Sequence, residues 1–181
     1  MIRYASGDAA AFESLFARHE GPVYRFLLRS VRIPALADEL LQETWLSVVR
    51  AARTYEPRAK FTTWLYHIAR TRLIDHWRAR EPDVAHRLAH EEEELVLENL
   101  PADARLEPER LAIDRAQARA FVLAVEALPP AQREAFLLHA ESGLSIEEIG
   151  AVTGVPAETA KSRFRYACAK LRENLRDWRT A

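Results

Sequence analysis

The chain has 181 residues, enough for one medium domain or two small ones, with five glycines, nine prolines and a formal net charge of −1. Ala, Leu, Arg and Glu are abundant, a mixture that favours helix almost everywhere. No run of about eighteen apolar residues predicts a membrane span, the first residues "MIRYASGDAAAFESLF" lack a basic-then-apolar leader pattern, and the single cysteine, Cys168, excludes an internal disulfide and suits a reducing cytoplasm.

Residues 9–32 carry Phe12, Leu15, Phe16, Val23, Phe26, Leu27 and Val31 at helical spacing. Gly21-Pro22 predicts a break or kink, with Pro22 opening a second segment. After Ile33-Pro34, "ALADELLQETWLSVVRAARTY" places Leu41, Trp45, Val48, Ala52 and Tyr55 on one stripe. Asp38, Glu39, Gln42, Glu43, Leu46 and Arg50 fall mostly off it. "EPRAK" reads as a loop. "FTTWLYHIARTRLIDHWRAR" follows as a helix with Leu65, Ile68, Ala69, Leu73 and Trp77 inside and Thr62 or Thr63 as its cap. From Glu81 to about Glu107 the periodicity fails, prolines punctuate the chain and "EEEELVLENLPAD" is strongly acidic, which predicts a linker with a short helix at most.

Periodicity returns at "PERLAIDRAQARAFVLAVEAL". In the next segment Pro130 suits a first helical turn and Gly143 a C′ position. Ser145 and Glu148 form a capping-box pattern that starts a helix at Ile146, and Gly154 stops it. Pro156 opens the next helix, which is expected to run to about Trp178. Two helices joined by a short glycine-containing turn match a helix-turn-helix. Ile146, Ile149, Val152, Val155, Ala160 and Phe164 are spaced to share its core, and Cys168 borders the same apolar face as a small filler. Glu158, Lys161, Ser162 and Arg165 fall on the other side of the second helix, where such residue types reach phosphates and base edges. A charged helix face is also what an ordinary bundle hairpin shows to water.

Two further blocks bear on function. Arg50–Arg80 interleaves cations with Tyr55, Phe61, Trp64, Tyr66 and Trp77, the pairing of charge and flat rings that single-stranded DNA needs. Trp64, His67, Arg70 and Arg78 are its candidates for exposure. The ridge Asp38, Glu39, Gln42 and Glu43 repels DNA and is better suited to a protein partner.

In this order and spacing, "DELLQETWLSVVRAARTYEPRAKFTTWLYHIARTRLIDHWRAR" and "LPPAQREAFLLHAESGLSIEEIGAVTGVPAETAKSRFRYACAKLREN" closely resemble bacterial RNA polymerase sigma factors of the small two-domain extracytoplasmic-function group. The resemblance covers nearly the whole chain outside the acidic segment. It implies an all-α fold. Residues 1–80 would form a region 2-like domain, 81–107 an acidic linker and 108–181 a region 4-like helix-turn-helix domain.

By the same resemblance, Asp38, Glu39, Gln42 and Glu43 contact the β′ clamp helices of core RNA polymerase, and the C-terminal domain meets the β flap. Lys60, Phe61, Thr62, Trp64, His67, Arg70 and Arg78 hold the unpaired −10 strand. Glu158, Thr159, Lys161, Ser162 and Arg165 read the −35 element. The linker threads near the polymerase active centre. An anti-sigma factor is expected as a further partner. Gly150 stands where the family more often has alanine and Thr153 where it often has leucine, and both are expected to soften the helix-turn-helix core.

Two other readings compete. A stand-alone helix-turn-helix regulator would leave the acidic ridge and the aromatic-basic block without a role. An enzyme lacks a phosphate loop or a Ser/His/Asp constellation, and His86 and His90, spaced four apart beside glutamates, are its slender case for a metal site. No cofactor and no catalytic residue are expected.

Overall fold

The computed structural model describes residues 1–80 and 115–176, with side chains described from residue 118 in the second stretch. The acidic linker, His86 and His90, and the end of the last helix near Trp178 lie outside the described residues. All the regular structure described is helical. In the N-terminal half, α1 (Ile2–Ala5), α2 (Ala9–Val31) and α3 (Pro34–Ala51) are followed by a 3-10 turn at Ala52–Thr54 and by α4 (Phe61–Arg80). In the C-terminal half come α5 (Arg115–Glu126), α6 (Pro130–Ser142), α7 (Ile146–Thr153) and α8 (Ala157–Asn174).

Local sequence explains where most helices begin and end. Asp8 caps α2 by accepting a hydrogen bond from the Ala11 amide at 3.1 Å. At the other end Arg32 takes the left-handed conformation, and Ile33 is extended ahead of Pro34, as the proline ring requires. Pro130 occupies the first turn of α6, and Gly143 ends that helix at φ +68. Ser145 and Glu148 close a complete capping box on α7, and Gly154 terminates it at φ +75.

Two local expectations fail. Pro22 does not open a second segment at Gly21-Pro22, because α2 is a single helix through both residues. Pro22 removes one backbone donor, and the buried side chains of Val23, Phe26 and Leu27 on its core face are each worth about 1.5–3 kcal/mol, enough to hold the helix together across it. Thr62 and Thr63 are not caps. They lie inside α4, which already begins at Phe61.

The helix-turn-helix core is tighter than its small residues suggest. A β-carbon on Gly150 would sit 2.9 Å from the Val155 carbonyl oxygen, a backbone atom with little freedom to retreat. The Gly150 carbonyl in turn accepts from the amides of both Gly154 and Val155. Thr153 is buried and gives its hydroxyl proton to the Ile149 carbonyl at 2.7 Å. These two departures therefore fit the turn and do not soften it. Cys168 packs at the edge of the same core, and burial pushes its thiol pKa up.

The buried residues of both halves form one continuous apolar cluster, running from Val23, Phe26 and Leu65 in the first half to Leu137, Leu138 and Ile149 in the second. Helix α2 packs against α3 on one side and α6 on the other, and α4 packs against α7.

Candidate nucleic-acid and partner interfaces

Helix α8 has two chemically distinct sides. Ala160, Ala167 and Leu171 are buried, with Phe164 half-buried and stacked on Phe136 at 6.4 Å between ring centroids. On the opposite arc Glu158 and Lys161 stand out, their side chains 84% and 62% exposed. Thr159, Ser162 and Arg165 are half-buried beside them. At 100° per residue the five polar positions cover an arc of about 160°. The Arg165 guanidinium lies 5.5 Å from the Tyr166 ring centroid, which helps to hold its direction. Glu158 and Lys161 pair only loosely, at 3.7 Å across one turn.

The N-terminus of α4 carries an aromatic group. Tyr55 meets Trp64 edge-on at 4.8 Å, Phe61 lies 5.9 Å from Trp64, and His19 approaches Phe61 at 5.4 Å. The three large residues are half-buried, so each keeps part of its surface accessible. Burial, helped by the Arg18 charge, holds the His19 imidazole below its ordinary pKa, favouring the neutral ring beside Phe61. Lys60 and Thr62 flank the group, one exposed and the other half-buried. His67 is exposed one turn on, and Arg78 is exposed near the far end of α4, about 25 Å from Lys60. Of the expected −10 residues, Phe61 and Trp64 share the aromatic cluster, flanked by Lys60 and Thr62, and His67 and Arg78 are exposed further along α4.

Arg70 departs from expectation. It is not free at the surface. Its guanidinium donates from Nε to Glu134 Oε1 at 2.9 Å and from Nη2 to Oε2 at 3.3 Å, and the two side chains are 14% and 6% exposed. Thr63 projects within about 20° of Arg70 around α4 and donates to Glu148 Oε1 at 3.2 Å. Lys60 Nζ lies 3.1 Å from the same oxygen. The backbone amide of Ser145 is the main reason that Glu148 has a pKa below the ordinary carboxylate value, with burial opposing and Lys60 and Thr63 assisting. Tyr66, buried between the halves, packs edge-on against Phe26 at 5.4 Å. Its phenol is pushed well up by burial and by the Glu141 charge, with Arg25 opposing.

The third surface lies on α3. Asp38, Glu39, Gln42 and Glu43 are all exposed. Asp38 and Gln42 line a groove of about 640 Å³, walled by Phe12, Phe16, Leu41 and Trp45. Leu46 and Val49 are exposed at this groove, which the sequence stripe alone did not mark as functional. Their signal was present, in that two apolar residues sit off the buried stripe and beside the acids. Among the described residues, no three His, Cys, Asp or Glu side chains are placed to hold a metal ion, and no helix is long and apolar enough to cross a membrane.

Comparison with known proteins gives a consistent result. Residues 15–82 match the sigma-70 region 2 family and residues 118–171 match sigma-70 region 4. The RNA polymerase sigma factor CarQ of Myxococcus xanthus is 38% identical over 97% of this chain and 95% of its own. Among solved structures, CnrH in complex with the cytosolic domain of CnrY is 27% identical with a TM-score of 0.65, covering 97% of this chain and 94% of that one. The sigma factor RpoE of Bartonella quintana, solved with the anti-sigma factor NepR, shares the fold at a TM-score of 0.68 and 23% identity, over 92% of this chain and 97% of that one. With matches to both conserved regions and a relative 38% identical over nearly its whole length, the chain belongs to the extracytoplasmic-function group of bacterial RNA polymerase sigma factors and acts in promoter-specific transcription initiation.

Proposed function

We propose that this cytoplasmic factor divides promoter recognition between its two ends and carries no chemistry of its own. Residues 108–181 read the −35 duplex through Glu158, Thr159, Lys161, Ser162 and Arg165, with α8 in the major groove. Residues 1–80 hold the unpaired −10 strand on Phe61 and Trp64, with Lys60, Thr62, His67, Arg70 and Arg78 on its backbone. Residues 81–107 join the two and pass near the polymerase active centre.

The polymerase contact falls on α3. An apolar groove bordered by Asp38, Gln42 and Glu20 suits an amphipathic helix with basic residues at its edges, and the β′ clamp helices are the occupant we assign. The C-terminal half meets the β flap. An anti-sigma factor is the second protein partner, by analogy with the complexes formed by CnrH and RpoE.

The energies explain why polymerase is needed. Unstacking a base step costs a few kcal/mol. Stacking on an aromatic side chain returns about 1–3 kcal/mol per base. The two nearly cancel, so the free factor melts nothing unaided and needs the contacts of the core enzyme.

The observation that carries this reading is the polar arc of α8, with Glu158 and Lys161 in solvent, opposite a side on which Ala160, Ala167 and Leu171 are buried. Run-off transcription with core polymerase, with and without this chain, is the test. A promoter-dependent transcript that appears only with the chain is expected, and its absence rejects the reading.

A further inference from the structure

The contacts between the two halves are chemically selective. The C-terminal half presents carboxylates to two of the groups proposed above to hold the unpaired strand, Lys60 just before α4 and Arg70 within it. Glu134 occupies Arg70 with the paired geometry that a phosphate would otherwise take. Glu148 binds Lys60 and Thr63 next to the Phe61 and Trp64 rings. Around them, Glu141 lies 2.7 Å from Arg25 and 3.6 Å from Arg29, and Arg32 donates to the Glu126 backbone carbonyl. The exposed arc of α8 is not part of this closure, since Glu158 and Lys161 remain in solvent. On the single-strand surface Arg70 is taken out of solvent and Lys60, though paired, stays largely exposed, while the arc of α8 is untouched.

We propose that Glu134 and Glu148 form an autoinhibitory latch that takes the place of strand phosphates on Arg70 and Lys60, and so withholds the central cation of the single-strand face while the halves are together. The latch rests on the assignment of that face to unpaired DNA. It orders the encounter. Duplex DNA can meet α8 while the factor is closed, and single strands gain Arg70 and the full charge of Lys60 when the halves separate. Glu134 holds the Nε/Nη2 edge of a guanidinium that is mostly closed to water, so a phosphate must displace the carboxylate to take that edge. The affinity of the free chain for single strands is reduced by the fraction of molecules that are open.

The test uses the full chain carrying Glu134→Gln and Glu148→Gln together. Glutamine keeps the side-chain shape, and at position 148 it still satisfies the capping box, so α7 is preserved while the charge is lost. Three measurements are made: radius of gyration by small-angle X-ray scattering, binding of labelled single-stranded DNA of random sequence, and binding of the same DNA as a duplex.

The expected result is a larger radius, single-strand affinity raised about tenfold, and duplex affinity unchanged. Equal radii and equal single-strand affinities in the parent and the variant would overturn the latch. If the double variant loses its helical circular dichroism, Glu148→Gln alone is measured against the same criteria. Failure of the function itself reads differently. The parent chain would then give no promoter-dependent transcript with core polymerase, whatever the scattering showed.

Discussion

Arg70 and Glu134 lie 64 positions apart in sequence, yet they meet in two near-parallel hydrogen bonds of 2.9 and 3.3 Å in a site that is mostly closed to water. The fork depends on a planar, five-donor cation. Arg70→Lys keeps the charge and loses the geometry. It should lower the stability of the closed chain by about 1–3 kcal/mol, the range for a charge-assisted hydrogen bond. Chemical denaturation followed by circular dichroism would check this, and a variant as stable as the parent would show that the pair contributes no net stability.

Gly150→Ala sets two effects against each other. Alanine gains about 1 kcal/mol in helix propensity over glycine. Its β-carbon, however, would press against the Val155 carbonyl oxygen at 2.9 Å, and overpacking of this kind costs about 1–3 kcal/mol. The obstacle is backbone in the turn itself, so the cost should win. A lower melting temperature and weaker duplex binding are expected together. A rise in melting temperature would mean that the turn yields easily.

Glu148 makes the fold sensitive to acid. Its pKa in the folded chain lies below the ordinary 4.5, chiefly through the Ser145 amide, against burial and with help from Lys60 and Thr63. The stabilisation is therefore complete above the ordinary value and is lost as pH falls through the depressed one. Melting temperature should drop across that acidic window, and Glu148→Gln should flatten that part of the profile. A profile that keeps its full slope in the variant would assign the effect to other carboxylates.

Lys161 and Arg165 should behave as DNA contacts of different kinds. If Lys161 meets phosphate, Lys161→Ala weakens binding to all duplexes and reduces the salt slope by about one. Arg165→Ala should cost about 1–3 kcal/mol and relax preference within the −35 element, as loss of a base contact does. Filter binding over a salt series on matched and mismatched duplexes would separate the two, and equal losses on every duplex would assign Arg165 to the backbone instead.

Leu46→Glu places a charge at the groove on α3. Leu46 is exposed, so the fold should change by no more than about 0.5 kcal/mol. Binding to core polymerase should fall sharply, as it should for Glu43→Lys. Normal affinity in both variants would move the docking site away from this groove.

The sequence made much of this architecture legible because helix boundaries are written in local chemistry. Pro130, Gly143, the Ser145–Glu148 box and Gly154 each predict an end that the structure contains. The exposed arc of α8 and the acidic ridge of α3 were legible for a similar reason, since a helix turns at a fixed angle per residue. What stayed hidden depends on meetings across long separations. Nothing local tells that Arg70 faces Glu134, or that Glu148 has a second role beyond its cap. Pro22 misled because proline reports a missing hydrogen bond and is silent about the packing that compensates for it.

The uninterrupted course of α2 has a mechanical corollary. Phe12 and Phe16 wall the groove near one end of this rod, and Arg25 and Arg29 engage Glu141 near the other, about 20 Å from Phe16 in the case of Arg29. Pro22 lies midway along this helix, where one backbone hydrogen bond is missing and bending is easiest. A partner that levers Phe12 and Phe16 outward therefore pushes on the same element that carries the arginines, with Pro22 as the point that sets how much of the push reaches the seam between the halves.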